Sequence, residues 1–443
     1  MKIAILGAGL AGVELGRKLK ELKQDFIVLE KESQIGGICR TNKTGEYCWD
    51  FAVHAIYSRN KEAMDYFNLL PLDYEYLSRK AKIFHSGNNG RRYILGYPFE
   101  MGIKDLPLKD KLECIHGYTA AKMRRKKEYN NLKEWIDTRL GEGIAKHFMF
   151  PYNNKIWNCK LSEISDKLVS SKIEPASAID FILSVLGGKS VGREYQAKFI
   201  YPKHGIQTLI DYTAKDFKDN IILNANVEKL VKLGHKWAII TDNGVKEEAD
   251  MVVSTIPLAE LLKKINIEGV KKEYDVLKWN NTFFIMIGLK KGANFQLIND
   301  CHWAFFKEDE IFYRITLMHN FSSEFLPVLV AEITQKGVIL NKNEEEIRES
   351  VVKDLIRLGI IGSRGQIAEV DIKLLNYTYP IPTLGLDDFK DKLANALGEH
   401  NIFLLGRNGN WDYINMDGVI LNVQKFVTER LFSSRRFNKG MPN

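Results

Sequence analysis

The chain is poor in cysteine. Five cysteines are scattered over 443 residues (Cys39, Cys48, Cys114, Cys159 and Cys301), odd in number and never spaced as CxxC. That pattern speaks against a disulfide framework and a structural zinc, and it suits a reducing cytoplasm. No metal-ligand set is expected. No apolar run reaches the roughly 18 residues that span a bilayer, so no membrane insertion is expected. Residues 3–6 are apolar but run straight into glycines, so they read as a first strand rather than the core of a signal peptide. Internal repeats and low-complexity tracts are missing too. Acidic residues are outnumbered, 56 Asp and Glu against 64 Lys and Arg, for a net charge of +8. The excess favours anions somewhere on the molecule without naming them.

Hydrophobic residues make up 45% and charged residues 27%, which excludes wholesale disorder and collagen-like or coiled-coil designs. At roughly 150 residues per domain, the length predicts about three domains, or one large α/β domain with insertions.

The richest local pattern is at the start. The apolar run of residues 3–6 leads into Gly7-Ala8-Gly9-Leu10-Ala11-Gly12, then a helical pattern, then a second apolar run, residues 26–29, ending at Glu30. This is a complete strand–turn–helix–strand dinucleotide unit. Gly7 permits the tight turn, Gly9 lets main chain approach a pyrophosphate, and Gly12 lets helix and sheet close up. The helix N-terminus offers unpaired N–H groups to phosphate, and Glu30 can accept from ribose hydroxyls.

Lys31-Glu32-Ser33-Gln34-Ile35-Gly36-Gly37-Ile38-Cys39-Arg40 resembles the second fingerprint of the flavoprotein superfamily that includes amine oxidases, protoporphyrinogen oxidase and UDP-galactopyranose mutase. The resemblance implies FAD. Gly36 and Gly37 would give access to a long dinucleotide, and Arg40 would offset diphosphate charge.

The implied fold is α/β: a discontinuous Rossmann-type FAD-binding domain with an inserted helical domain and an antiparallel-sheet substrate domain. The expected divisions are FAD-binding residues 1–82, 188–264 and 393–432, sheet-domain residues 83–104 and 265–392, and helical residues 105–187. A basic tail, residues 433–443, follows. Residues 221–223, 227–230, 237–241, 251–254 and 402–405 read as strands that could complete the sheet begun at the N-terminus. Val227 sits where the superfamily lays adenine, although core packing alone would account for a valine. The basic run at residues 122–127 reads as a solvated helix face rather than a nucleic-acid or membrane patch, since no nucleic-acid motif accompanies it.

Four further segments resemble the UDP-galactopyranose mutase family, closest to its larger, eukaryote-like branch. They are Asp50-Phe51-Ala52-Val53-His54-Ala55; Tyr97-Pro98-Phe99-Glu100; Phe150-Pro151-Tyr152-Asn153-Asn154-Lys155-Ile156-Trp157; and the pair Tyr379-Pro380-Ile381-Pro382 and Gly406-Arg407-Asn408-Gly409-Asn410-Trp411-Asp412-Tyr413. The implied activity is interconversion of pyranose and furanose forms of a UDP-sugar, UDP-galactose first. Reduced FAD would act through N5 as a nucleophile at the anomeric carbon, with no net redox change. NAD(P)H would be the reductant, and polysaccharide biosynthesis the setting.

By motif match, Arg314 would hold the diphosphate with Tyr379 and Tyr413, Trp303 would line the sugar pocket, and Asn153 would face uridine or a flap. Arg407 would lie near the flavin, and Lys172 would stand where the family has a second diphosphate arginine. His54 is weighed as an acid/base group titrating near neutrality and, preferentially, as a structural residue packed at the flavin. The match is broken where Ala52-Val53 replaces Gly-Gly, where Lys172 loses the bidentate fork, and where Glu100 replaces an amide. Two other readings stay open: an FAD-dependent oxidoreductase of the same fold, and a non-catalytic nucleotide-sugar-binding flavoprotein. Homo-oligomerisation is left open as well.

Overall fold

The computed structural model describes residues 1–124, 128–168, 181, 185, 198–293, 295 and 297–432. Strand Lys2–Leu6 is buried on both faces, as its unbroken apolar run requires. It pairs in parallel with Asp25–Leu29 on one side and Met251–Ser254 on the other. Ile221–Ile222 and Ile402–Leu404 complete a five-stranded parallel sheet whose strands come from distant stretches of chain. The helix Leu10–Glu21 makes the crossover, burying Val13, Leu15 and Leu19.

Two of the strands expected in this sheet lie elsewhere. Val227–Leu233 and Lys236–Thr241 join Lys246–Ala249 in a separate three-stranded antiparallel sheet. Their partial burial explains this: Val227–Leu233 buries only Val227 and Leu230, and Lys236–Thr241 buries alternate residues, whereas a central parallel strand is buried on both faces.

The second large sheet has seven strands in the order Ile367–Ile381, Lys278–Leu289, Val328–Thr334, Arg314–Leu317, Trp303–Phe306, Ala81–Ser86, Arg92–Gly96. It is antiparallel except where Trp303–Phe306 meets Ala81–Ser86 in parallel. The strand that carries Arg314 is short, running from Arg314 to Leu317. The helix Glu344–Arg357 covers one face, started by a capping box of Asn343 and Glu346.

The helical segments between Leu108 and Ile156 pack on this sheet through Trp135, Ile136, Ile144 and Phe148, against Ile83, Leu95 and Phe305. The helical stretch from Leu132 to Phe148 is not one helix. It breaks after Arg139, and residues Ala145–Met149 form a π-helical turn. A Cβ on Gly143 would lie 2.3 Å from the carbonyl oxygen of Glu113, so the close approach of two helices depends on that glycine. Of the expected helical residues 105–187, those from 169 on, apart from 181 and 185, lie outside the described residues, as does the basic tail. Of the basic run, Lys122 to Arg124 are exposed on a helix, and the rest lies outside the described residues.

Candidate functional site

A single cavity of about 1110 Å³ runs between the parallel sheet, the seven-stranded sheet and the helical segments. Its first end is made largely of main chain. Gly7 turns the strand at φ +95°. A Cβ on Gly12 would sit 2.0 Å from the Gly7 carbonyl oxygen, so the helix is pressed onto the turn. The loop of Gly36 (φ +118°) and Gly37 (φ +59°) lies across this turn, with the Gly36 N–H donating to the Ala8 carbonyl at 2.8 Å. Glu30 is buried, and its carboxylate accepts from the N–H groups of Ala8 (2.7 Å) and Glu32 (3.0 Å). Burial raises its pKa, and those two donors work against the rise. Val227 lines the cavity beside Ala225 and Asn226, and Arg40 lies with its guanidinium 5.2 Å from the Phe51 ring centre.

The other end is made of side chains. Arg314 and Glu332 face each other across neighbouring strands. The Arg314 Nε and Nη2 groups donate to the two Glu332 oxygens at 2.7 Å each, and Nη2 also donates to the Tyr379 hydroxyl at 3.2 Å. Glu332 is fully buried and also accepts from the Tyr313 hydroxyl at 2.8 Å. Arg407 donates to the Ile414 carbonyl at 2.5 Å and lies over the rings of Tyr413 (4.6 Å) and Tyr379 (5.4 Å). Burial moves the Tyr379 phenol up to about 12, so it stays an O–H donor at neutral pH. Trp303 lines the same end, 5.3 Å from the guanidinium of Arg79.

The family profile of flavin containing amine oxidoreductases matches residues 10–273, more than half of the chain. The chain belongs to that family. Among curated proteins, this chain is 22% identical over 288 residues to the coproporphyrinogen III oxidase of Bacillus subtilis, covering 58% of this chain and 59% of that protein. It therefore spans under two thirds of that relative's length. Among solved structures, reduced UDP-galactopyranose mutase superimposes with a TM-score of 0.86 at 23% identity, covering 98% of this chain and 94% of that one. Putrescine oxidase bound to putrescine follows with a TM-score of 0.67 at 15% identity, covering 98% and 99%. At these identities the shared property is the fold.

The amine oxidoreductase family implies a flavin, and the residues fit FAD. The glycine turn has no side chain in the way of a pyrophosphate, and Glu30 is aligned by two main-chain donors for a ribose. The Nε groups of Arg40 and Arg407 are buried beside the cavity without a hydrogen-bond partner.

Most of the anticipated residues meet in this cavity. Gly7, Gly9, Glu30, Gly36, Gly37, Arg40, Val227, Asn153, Trp303, Arg314, Tyr379, Arg407, Tyr413 and His54 all line the one cavity. Gly12 stands behind the turn. Lys172 lies outside the described residues. The Asn153 side chain is engaged locally, donating to Met149 and accepting from Trp157. Burial, with Arg407 and Arg314 adding to it, holds the His54 pKa down at about 3, which favours the packed, structural role over an acid/base one. The ring is a neutral wall of the cavity. Ala52 adopts φ +42°, the left-handed region that glycine favours and alanine does not.

Two residues escaped the sequence reading: Arg79, which lines the cavity, and Glu332, which does not line it but holds Arg314. Arg79 sits just before strand Ala81–Ser86, with its guanidinium 4.4 Å from the Tyr97 ring centre. Glu332, the partner of Arg314, lies mid-strand in an apolar run. A lone acid inside Val328–Thr334, buried throughout, is the one signal that marked it.

Proposed function

We propose that this flavoprotein is an FAD-dependent UDP-sugar pyranose–furanose mutase, an isomerase with UDP-galactose as its first candidate substrate and NAD(P)H as the reductant that primes it. The observation that carries this reading is the group of Arg314, Tyr379, Arg407 and Tyr413 at the cavity end away from the glycine turn. Two guanidinium groups and two phenols suit a departing diphosphate, and an apolar or amine substrate has little use for them.

When bound and reduced, FAD supplies a nucleophilic N5 and the overall reaction consumes no reductant. The chain's own tasks are separate from that chemistry. Glu332 fixes the Arg314 fork, so the arginine is ordered before a ligand arrives. Tyr379 offers a neutral hydroxyl to phosphate. Trp303 and Tyr97 bring aromatic rings to the sugar's place in the cavity wall.

Flavin-loaded protein reduced with dithionite should convert UDP-galactofuranose to UDP-galactopyranose, and oxidised protein should not. Failure with this and with a panel of other UDP-sugars would end the proposal.

The second reading is a flavin oxidoreductase. The alanine held at φ +42° and the branched Val53 beside it support this reading, because they occupy the loop where the mutases keep glycine. Steady oxygen uptake with an amine or a porphyrinogen would establish it.

A further inference from the structure

Outside the cavity, three polar residues meet inside the protein: His85 on strand Ala81–Ser86, Asp110 on helix Leu108–Arg124 and His147 on the π-helical turn Ala145–Met149. All are buried, and one ligand atom from each lies within 4.8 Å of the other two. None of them lines the cavity. We propose that His85, Asp110 and His147 form a structural site for one divalent transition ion of the zinc class.

Several independent features support it. His85 Nε2 is 3.0 Å from Asp110 Oδ2, a separation suited both to a hydrogen bond and to two ligands of one ion. The other His85 ring nitrogen is buried with no partner. His147 Nε2 is 2.8 Å from Glu113 Oε2, which leaves Nδ1 for an ion. A carboxylate on the far nitrogen is the usual way a ligating histidine is oriented. Glu113 is itself held by Lys146 at 2.6 Å. Asp110 accepts from the main-chain and side-chain N–H groups of Asn88, at 3.3 and 2.5 Å, so it too is aimed from outside.

Two imidazoles and a carboxylate fit zinc, with water as a fourth ligand. The π-turn has a reason in this picture, since it sets His147 facing a strand and a second helix. The ion would pin the helical segments to the seven-stranded sheet. The same chain runs on to Asn153 and Trp157 in the cavity wall.

The test uses the full-length, flavin-loaded protein. After dialysis against a weak chelator, elemental analysis should find about one zinc per chain. Exhaustive chelation followed by Zn²⁺ should raise Tm, and Co²⁺ in its place should give visible bands beyond those of the flavin. His147→Gln should lose the metal and the Co²⁺ bands while keeping the flavin. If that variant does not fold, Glu113→Gln serves, with metal affinity expected to fall about 10-fold or more. Metal-free wild-type protein with an unchanged Tm in Zn²⁺ and no Co²⁺ bands would overturn the proposal and leave a plain hydrogen-bonded cluster.

Discussion

Around Gly7, Gly9, Gly36 and Gly37 the cavity wall is main chain, fixed by turn geometry within the first forty residues. Around Arg314, Tyr379 and Tyr413 it is side chain, brought together from strands and a loop far apart in sequence. The first end has no room for added atoms at Gly7, Gly12 and Gly36, because its function is close approach. The second end tolerates exchange of groups, because its function is the choice of donors. A glycine turn can therefore serve every flavoprotein of the family, and the other end can change its substrate without disturbing the fold.

The sharpest way to break this contrast is at Gly12. A Cβ there would stand 2.0 Å from the Gly7 carbonyl oxygen, and main chain on both sides cannot yield. Gly12→Val should abolish flavin binding and lower the yield of soluble protein. The ratio of flavin to protein absorbance checks it.

Arg314→Met should produce the next largest effect, of a different kind. Flavin should remain, while turnover falls by about 10²–10³, the usual effect of losing a charged stabilising group. It also leaves Glu332 buried without its cation, at a cost of about 3–5 kcal/mol. Adding Glu332→Gln, which still accepts from Tyr313, should restore most of the Tm and none of the turnover. Recovery of both would mean that Arg314 is structural.

Tyr379→Phe removes one hydroxyl from the same end. UDP affinity should weaken by about tenfold, the scale of one hydrogen bond to a charged group, with flavin content unchanged. Titration of UDP against the flavin absorbance measures it. Unchanged affinity would favour the oxidoreductase reading.

The two ends also differed in how far the sequence revealed them. The glycines, Glu30 and the flanking apolar runs are local in sequence, and their roles follow from backbone sterics alone. Arg314, Tyr379 and Tyr413 could be chosen only through resemblance, since nothing local says that three distant segments meet. Glu332 was missed because its significance is a cross-strand register, Arg314 against Glu332. The three-stranded sheet was misplaced because short apolar runs do not show which sheet they join. The His85, Asp110 and His147 group was invisible for the same reason, its members being 25 and 37 residues apart on three elements.

Ala52 tests whether the histidine loop belongs to the tolerant end or the strict one. Its φ of +42° costs an alanine about 1–2 kcal/mol. Glycine would relieve that and lose about 0.4–1 kcal/mol through a more flexible unfolded chain. Ala52→Gly should therefore raise Tm slightly, against the usual direction of such a change. A lower Tm would show that the loop is held by packing rather than strained.

The smallest effect concerns His54, and there the expected result is a flat line. Its pKa lies near 3 in the folded protein, against about 6.5 for an exposed histidine. The folded state thus requires the neutral ring. That contribution to stability is complete above pH 6.5 and is lost as pH falls towards 3. Acid unfolding should begin earlier in the wild-type protein than in His54→Gln, which has no proton to take up. Between pH 6 and 8 neither protein should show an inflection in kcat/KM that the other lacks. If the wild-type profile bends near 6.5 and the glutamine variant's does not, His54 exchanges a proton during turnover and belongs with the substrate-end donors, not with the wall.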